Sequence, residues 1–110
     1  MTRKEALEAM LVDVDAGKAS CKFGPIMGVY WGVNERFDAM SAYNGSLDAA
    51  LVLHESVLGD NWHVENFSLV GDICLTKYRP LERAYAFADM DPARAWLIAI
   101  IKALIVECGE

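Results

Sequence analysis

The sequence is short of most residues that announce a chemistry. It has two histidines and three cysteines (Cys21, Cys74, Cys108), widely spaced and in no CxxC pair. An odd, scattered set of thiols builds no secreted disulfide framework and suits a reducing cytoplasm. It also lacks the ligand spacing of a structural zinc site, so no metal and no other cofactor is expected. Glycine and proline together number 11 of 110 residues, too few for a collagen-like or low-complexity chain. Long hydrophobic runs are missing as well. Residues 95–101 and 103–106 are apolar, but Lys102 separates them, and a membrane span needs about 20 such residues. The polar start, Met1-Thr2-Arg3-Lys4-Glu5, carries no apolar signal-peptide core. Basic charge is scarce: 10 Lys and Arg stand against 16 Asp and Glu, a net charge of −6. That balance argues against direct binding of nucleic acid.

What is present reads as a single α+β domain over 1–110. Hydrophobic residues make up 55% of the chain, enough for a core at this length. Thr2 and Glu5 form a capping-box pattern ahead of Leu7, Met10, Leu11 and Val14, which recur at helical spacing, so a helix is predicted over 2–16. Asn34 is expected to cap a short helix through Glu35, Phe37 and Met40. Asn44-Gly45-Ser46 reads as a turn and cap before a helix over 47–57 whose inner face is Leu47, Ala50, Leu51, His54 and Leu58. Three strands follow. Residues 62–70 change phase between Val64 and Phe67, which predicts a bulge near Glu65-Asn66. Residues 73–79 and 83–88 complete an antiparallel meander, with Ala84, Ala86 and Ala88 making one face of the third strand small enough for a helix to approach. Asp91 caps and Pro92 opens the last helix. That helix is apolar nearly all round and needs cover on two sides: the sheet on one, and the first helix or a second subunit on the other. The expected order is α-loop-α-β-β-β-α, about three helices layered on a three-stranded antiparallel sheet.

Two stretches bear on function. Residues 23–33 are apolar, uncharged and broken by three glycines and a proline. They read either as an exposed apolar loop that docks a partner, with Tyr30 and Trp31 as anchors, or as a loop folded onto the domain. From 37 to 76 there is no Lys or Arg, while Asp38, Asp48, Glu55, Asp60, Glu65 and Asp72 all fall there. Those six acids equal the whole net charge. Such a stretch either steers a basic partner or keeps the surface solvated. His54 with Glu55, and His63 with Glu65, are the only candidate acid–base pairs. His54 and Glu55 are adjacent on a helix and do not face one another, so His54 reads better as a packed core or groove histidine, and His63, on a strand, as solvent-facing or cross-strand paired.

The block Ala42-Tyr-Asn-Gly-Ser-Leu-Asp-Ala-Ala50, with Leu53-His54-Glu55 and Trp62, resembles a family of small phage and prophage proteins described as a phage alpha-beta-alpha sandwich domain. So does the block running from Asp89-Met-Asp-Pro to Ile105. The resemblance implies helices flanking a small sheet and a phage-related origin; with the reduced thiols, the expected location is the host-cell cytoplasm. It implies no activity and no catalytic residues, and 23–33 departs from the pattern. The expected function is therefore that of an acidic accessory protein. It would bind a host or phage protein through Tyr30, Trp31, Asp38, Asp48, Glu55, Asp60 and Glu65, as a homodimer, with no direct nucleic-acid or membrane contact. A sharper version inhibits a nucleic-acid-handling host defence protein. A small hydrolase built on His54 and a virion or assembly component are the alternatives.

Overall fold

A computed structural model describes residues 2–17 and 32–108. The elements are α1 (Arg3–Asp15), α2 (Val33–Tyr43), α3 (Leu47–Val57), a single 3-10 turn (Gly59–Asn61), β1 (His63–Phe67), β2 (Asp72–Tyr78), β3 (Leu81–Phe87) and α4 (Pro92–Glu107). The class is α+β, as the sequence predicts.

The helix ends follow the local chemistry. At α1 the Thr2 hydroxyl accepts from the Glu5 N–H at 3.1 Å, and the Glu5 carboxylate accepts from the Thr2 N–H at 2.8 Å. This reciprocal pair satisfies two amides that have no partner inside the helix. The Thr2 hydrogen bonds also hold the Glu5 carboxyl below its ordinary range. Ser46 caps α3 by accepting from the Ala49 N–H, and Asp91 caps α4 by accepting from the Arg94 N–H, both at 3.1 Å. The cap of α2 differs from the expected Asn34. The helix starts two residues earlier, with Gly32 at the cap and its N–H donating to Glu35 at 3.2 Å.

The sheet is an antiparallel meander of order β1-β2-β3. Pairing runs His63–Thr76 and Val64–Leu75, then slips to Asn66–Cys74 and Phe67–Ile73. The slip leaves Glu65 as an extra residue, the bulge that the phase change in the sequence requires. Strands β2 and β3 pair without interruption from Asp72–Phe87 to Tyr78–Leu81.

The layers stack around α4. Ten of its 16 residues are buried. It packs on β2 and β3 through one side and on α1, α2 and α3 through the other. Among the described residues the middle layer is thus a helix, with the other helices on one side of it and the sheet on the other. The physical reason is the all-round apolar surface of α4, which needs two covers, whereas each strand has only one apolar side. Ile73, Leu75, Ala84 and Ala86 face α4 and are buried. The second cover for α4 comes from the chain itself, so this helix gives no ground for a second subunit. Arg94 ties the layers by donating to the Val14 carbonyl at 3.1 Å, at the end of α1 where carbonyls lack helical partners. Lys77 of β2 meets Glu107 of α4 at 2.6 Å.

Candidate functional site

Two tryptophans, Trp62 and Trp96, stand beside His54. His54 lies on α3 and is buried. The Trp96 indole N–H donates to His54 Nδ1 at 3.2 Å, and His54 Nε2 is 2.9 Å from the Trp62 carbonyl oxygen. An indole only donates and a carbonyl only accepts, so Nδ1 is the acceptor and Nε2 carries the proton. Both ring nitrogens are thereby committed to joining α3, the start of β1 and α4. Leu53, in place of the expected Leu51, completes the inner face of α3, and Leu51 is exposed. His63 sits on the open side of the sheet, its ring 6.0 Å from that of Tyr78. Among the described residues no group of three metal-binding side chains converges. Cys74 and Cys108 are free thiols.

The acidic residues of 37–76 do not gather at one point. Asp48 and Glu55 are exposed on α3, two turns apart, with the exposed Leu51 and Val52 between them. Asp60 is exposed on the 3-10 turn, and Asp38 is half-buried on α2. Glu65 and Asp72 have internal work. The bulge swings Glu65 across the open face of the sheet. There its carboxylate accepts from the Thr76 hydroxyl at 2.7 Å and from Arg83 Nε at 3.2 Å. The Thr76 hydrogen bond first, and Arg83 second, hold the Glu65 carboxyl below its ordinary range. Asp72 accepts from the Tyr85 hydroxyl at 2.8 Å, which pushes that phenol up. Tyr30 and Trp31 lie outside the described residues.

The surface that stands out is one the sequence reading missed. The turn joining β1 to β2 and the loop joining β3 to α4 lie side by side at one end of the sheet. Ala88 N–H donates to the Gly71 carbonyl at 3.0 Å, Met90 N–H to the Val70 carbonyl at 2.9 Å, and Asp91 N–H to the Ala88 carbonyl at 2.9 Å. Gly71 has φ +115°, and a Cβ there would overlap the Ala88 carbonyl oxygen, so only glycine allows the two loops this close. On this braced backbone Leu69, Val70 and Met90 are 68%, 52% and 73% exposed. Met90 adopts φ +56° without being glycine, a conformation that costs energy and persists where neighbouring bonds enforce it. The two loops, 68–72 and 88–91, hold three aspartates (Asp72, Asp89, Asp91) and no basic residue. The signal was available. Apolar residues inside turn segments have no local reason to be there, yet Leu69 and Val70 read as the end of a strand and hid it.

Comparison with known proteins adds no relative: the chain matches no family model, no curated protein and no solved structure.

Proposed function

We propose that the protein is a non-enzymatic binding domain that docks a protein partner through the Leu69–Val70–Met90 tip. The observation that carries this reading is the combination of exposure and bracing. Three large apolar side chains stand in water on loops that are hydrogen-bonded to one another. A partner that covers them removes apolar surface from water and orders little backbone in doing so. The exposed Asp89 beside Met90, and the excess acid of the whole chain, favour a partner whose apolar pocket has a basic rim. Such a rim is common on proteins that grip nucleic acid. This fits the sharper proposal of a phage or prophage accessory protein that blocks a nucleic-acid-handling defence protein in the host cytoplasm. The phage origin itself rests on the two sequence blocks that resemble the small phage family. Asp48, Glu55 and Asp60, exposed and without a basic neighbour in sequence, contribute to long-range steering of the same partner.

A photo-crosslinking residue placed at 69 or 90 should give an adduct in bacterial lysate that the same group at the exposed Ser56 of α3 does not. Met90→Asp should abolish capture of that adduct's protein by the otherwise unmodified chain. Equal labelling from both sites, or capture indifferent to Met90→Asp, would remove the tip from the account.

A further inference from the structure

The two edges of the sheet are not equivalent. Strand β1 has five residues and a bulge at Glu65, which spoils its outer edge as a template. Strand β3 has seven residues, pairs with β2 without a slip and contains no proline. Its outward groups can be assigned. Ala88 N–H donates to the Gly71 carbonyl, one step beyond the Asp72–Phe87 pair. In an antiparallel ladder this makes Asp72–Phe87 a non-hydrogen-bonded pair and alternates from there. The amides and carbonyls of Leu81, Arg83, Tyr85 and Phe87 therefore point away from β2. Lys102 of α4 confirms the direction by donating to the Tyr85 carbonyl at 2.9 Å. Leu81, Tyr85 and Phe87 are half-exposed or more, an edge with apolar side chains whose outward backbone, apart from the Tyr85 carbonyl, has no backbone partner among the described residues.

We propose that this edge pairs with itself, so that two copies of the chain join β3 to β3 across a two-fold axis at Ala84 into one six-stranded antiparallel sheet. The sequence Leu81-Glu-Arg-Ala-Tyr-Ala-Phe87 is self-complementary in that register. The outward groups of Arg83 meet those of Tyr85 in the other copy, and those of Leu81 meet Phe87. On the open face, each Arg83 guanidinium lies against a Tyr85 ring and each Leu81 against a Phe87. On the α4 face, Glu82 of one copy falls opposite Ala86 of the other, beside the Tyr85 carbonyl where Lys102 sits. Carboxylate and ammonium are thus brought together twice by the symmetry. The Tyr85 carbonyl has two acceptor sites, so it takes the new Arg83 amide while Lys102 keeps its bond from the helix side. A two-fold contact repeats each complementary pair, which is why an isologous interface suits a short edge. This proposal is independent of the tip.

Solution mass by light scattering across micromolar to millimolar chain should rise to that of two copies. The Arg83 and Tyr85 amides should gain protection from hydrogen exchange in step with it. Tyr85→Pro removes an N–H that β2 does not use and should leave a folded single copy. Lys102→Glu alone and Glu82→Lys alone should each weaken association about tenfold, and the double exchange should restore it. A mass of one copy at every concentration overturns the proposal and leaves the edge for an extended segment of another protein. So does a dimer whose affinity ignores both charge exchanges, a readout that stands even if Tyr85→Pro does not fold.

Discussion

The two faces of the sheet are built from alternate residues of the same strands, and they have opposite fates. Facing α4, Ile73, Leu75, Ala84 and Ala86 are almost wholly removed from water. Facing outward, Tyr78, Leu81, Tyr85 and Phe87 are 50–58% exposed, with Glu65, Thr76 and Arg83 hydrogen-bonded among them. The difference teaches where folding free energy and binding capacity sit in a chain this small. One helix, α4, closes one face and draws the other helices behind it. Among the described residues no fourth layer closes the second face. Its aromatic and aliphatic side chains stay wet, steadied by a few polar bonds.

Substitutions separate the two faces by size of effect. Leu75→Ala, on the buried face, should cost about 3 kcal/mol in denaturant unfolding, from lost transfer free energy and the cavity left under α4. A cost below about 1 kcal/mol would mean that this face is not the core. Gly71→Ala should follow at about 2–3 kcal/mol, because the new Cβ strains φ and overlaps the Ala88 carbonyl. It should also displace the Met90 loop, visible as altered amide shifts at residues 88–91. His54→Leu should cost about 2 kcal/mol in thermal unfolding, since it keeps the volume but strands the Trp96 indole N–H and the Trp62 carbonyl. Tyr78→Ser, on the open face, should stay within about 0.5 kcal/mol. A large loss there would show the open face to be covered in solution.

The smallest effect is one of pH. The folded Glu65 carboxyl lies below the ordinary 4.5, first through the Thr76 hydroxyl and then through Arg83. A carboxyl depressed in the folded state binds protons more readily when unfolded, so its stabilisation is present above 4.5 and is lost as pH falls through the lower folded value. Glu65→Gln should flatten that acid limb of the stability profile and leave its shape above pH 6 unchanged. An acid limb identical to that of the parent chain would remove Glu65 from the network.

Much of the fold was legible because it is written in short-range chemistry. The Thr2–Glu5 box, the Ser46 and Asp91 caps and the bulge at Glu65 each depend on residues within a few positions of one another. The alanines of β3 announced a close helix for a similarly local reason, since small side chains on one side of a strand have few other uses. Leu51 and Leu53 lie on opposite flanks of the Ala50–His54 stripe, about 200° apart round the helix, and spacing alone favours Leu51. The choice between them is made by where α4 lies against α3, which no spacing within α3 encodes. The acidic stretch read as one surface because its members are close in sequence. Folding spends Glu65 and Asp72 on hydrogen bonds across the sheet and spreads Asp38, Asp48, Glu55 and Asp60 over two helices and a turn. The tip stayed hidden because Leu69 and Met90 are 21 positions apart and meet only when two loops bond.

Local sequence alone determined the elements, most of their ends and the small face that receives a helix, since caps, periodicity and turn residues act over a single turn or strand. Which layer lies in the middle, which acids remain free and which apolar residues share the tip were decided by tertiary structure. Those outcomes depend on contacts between distant segments, and only the packed chain brings such segments within reach of one another.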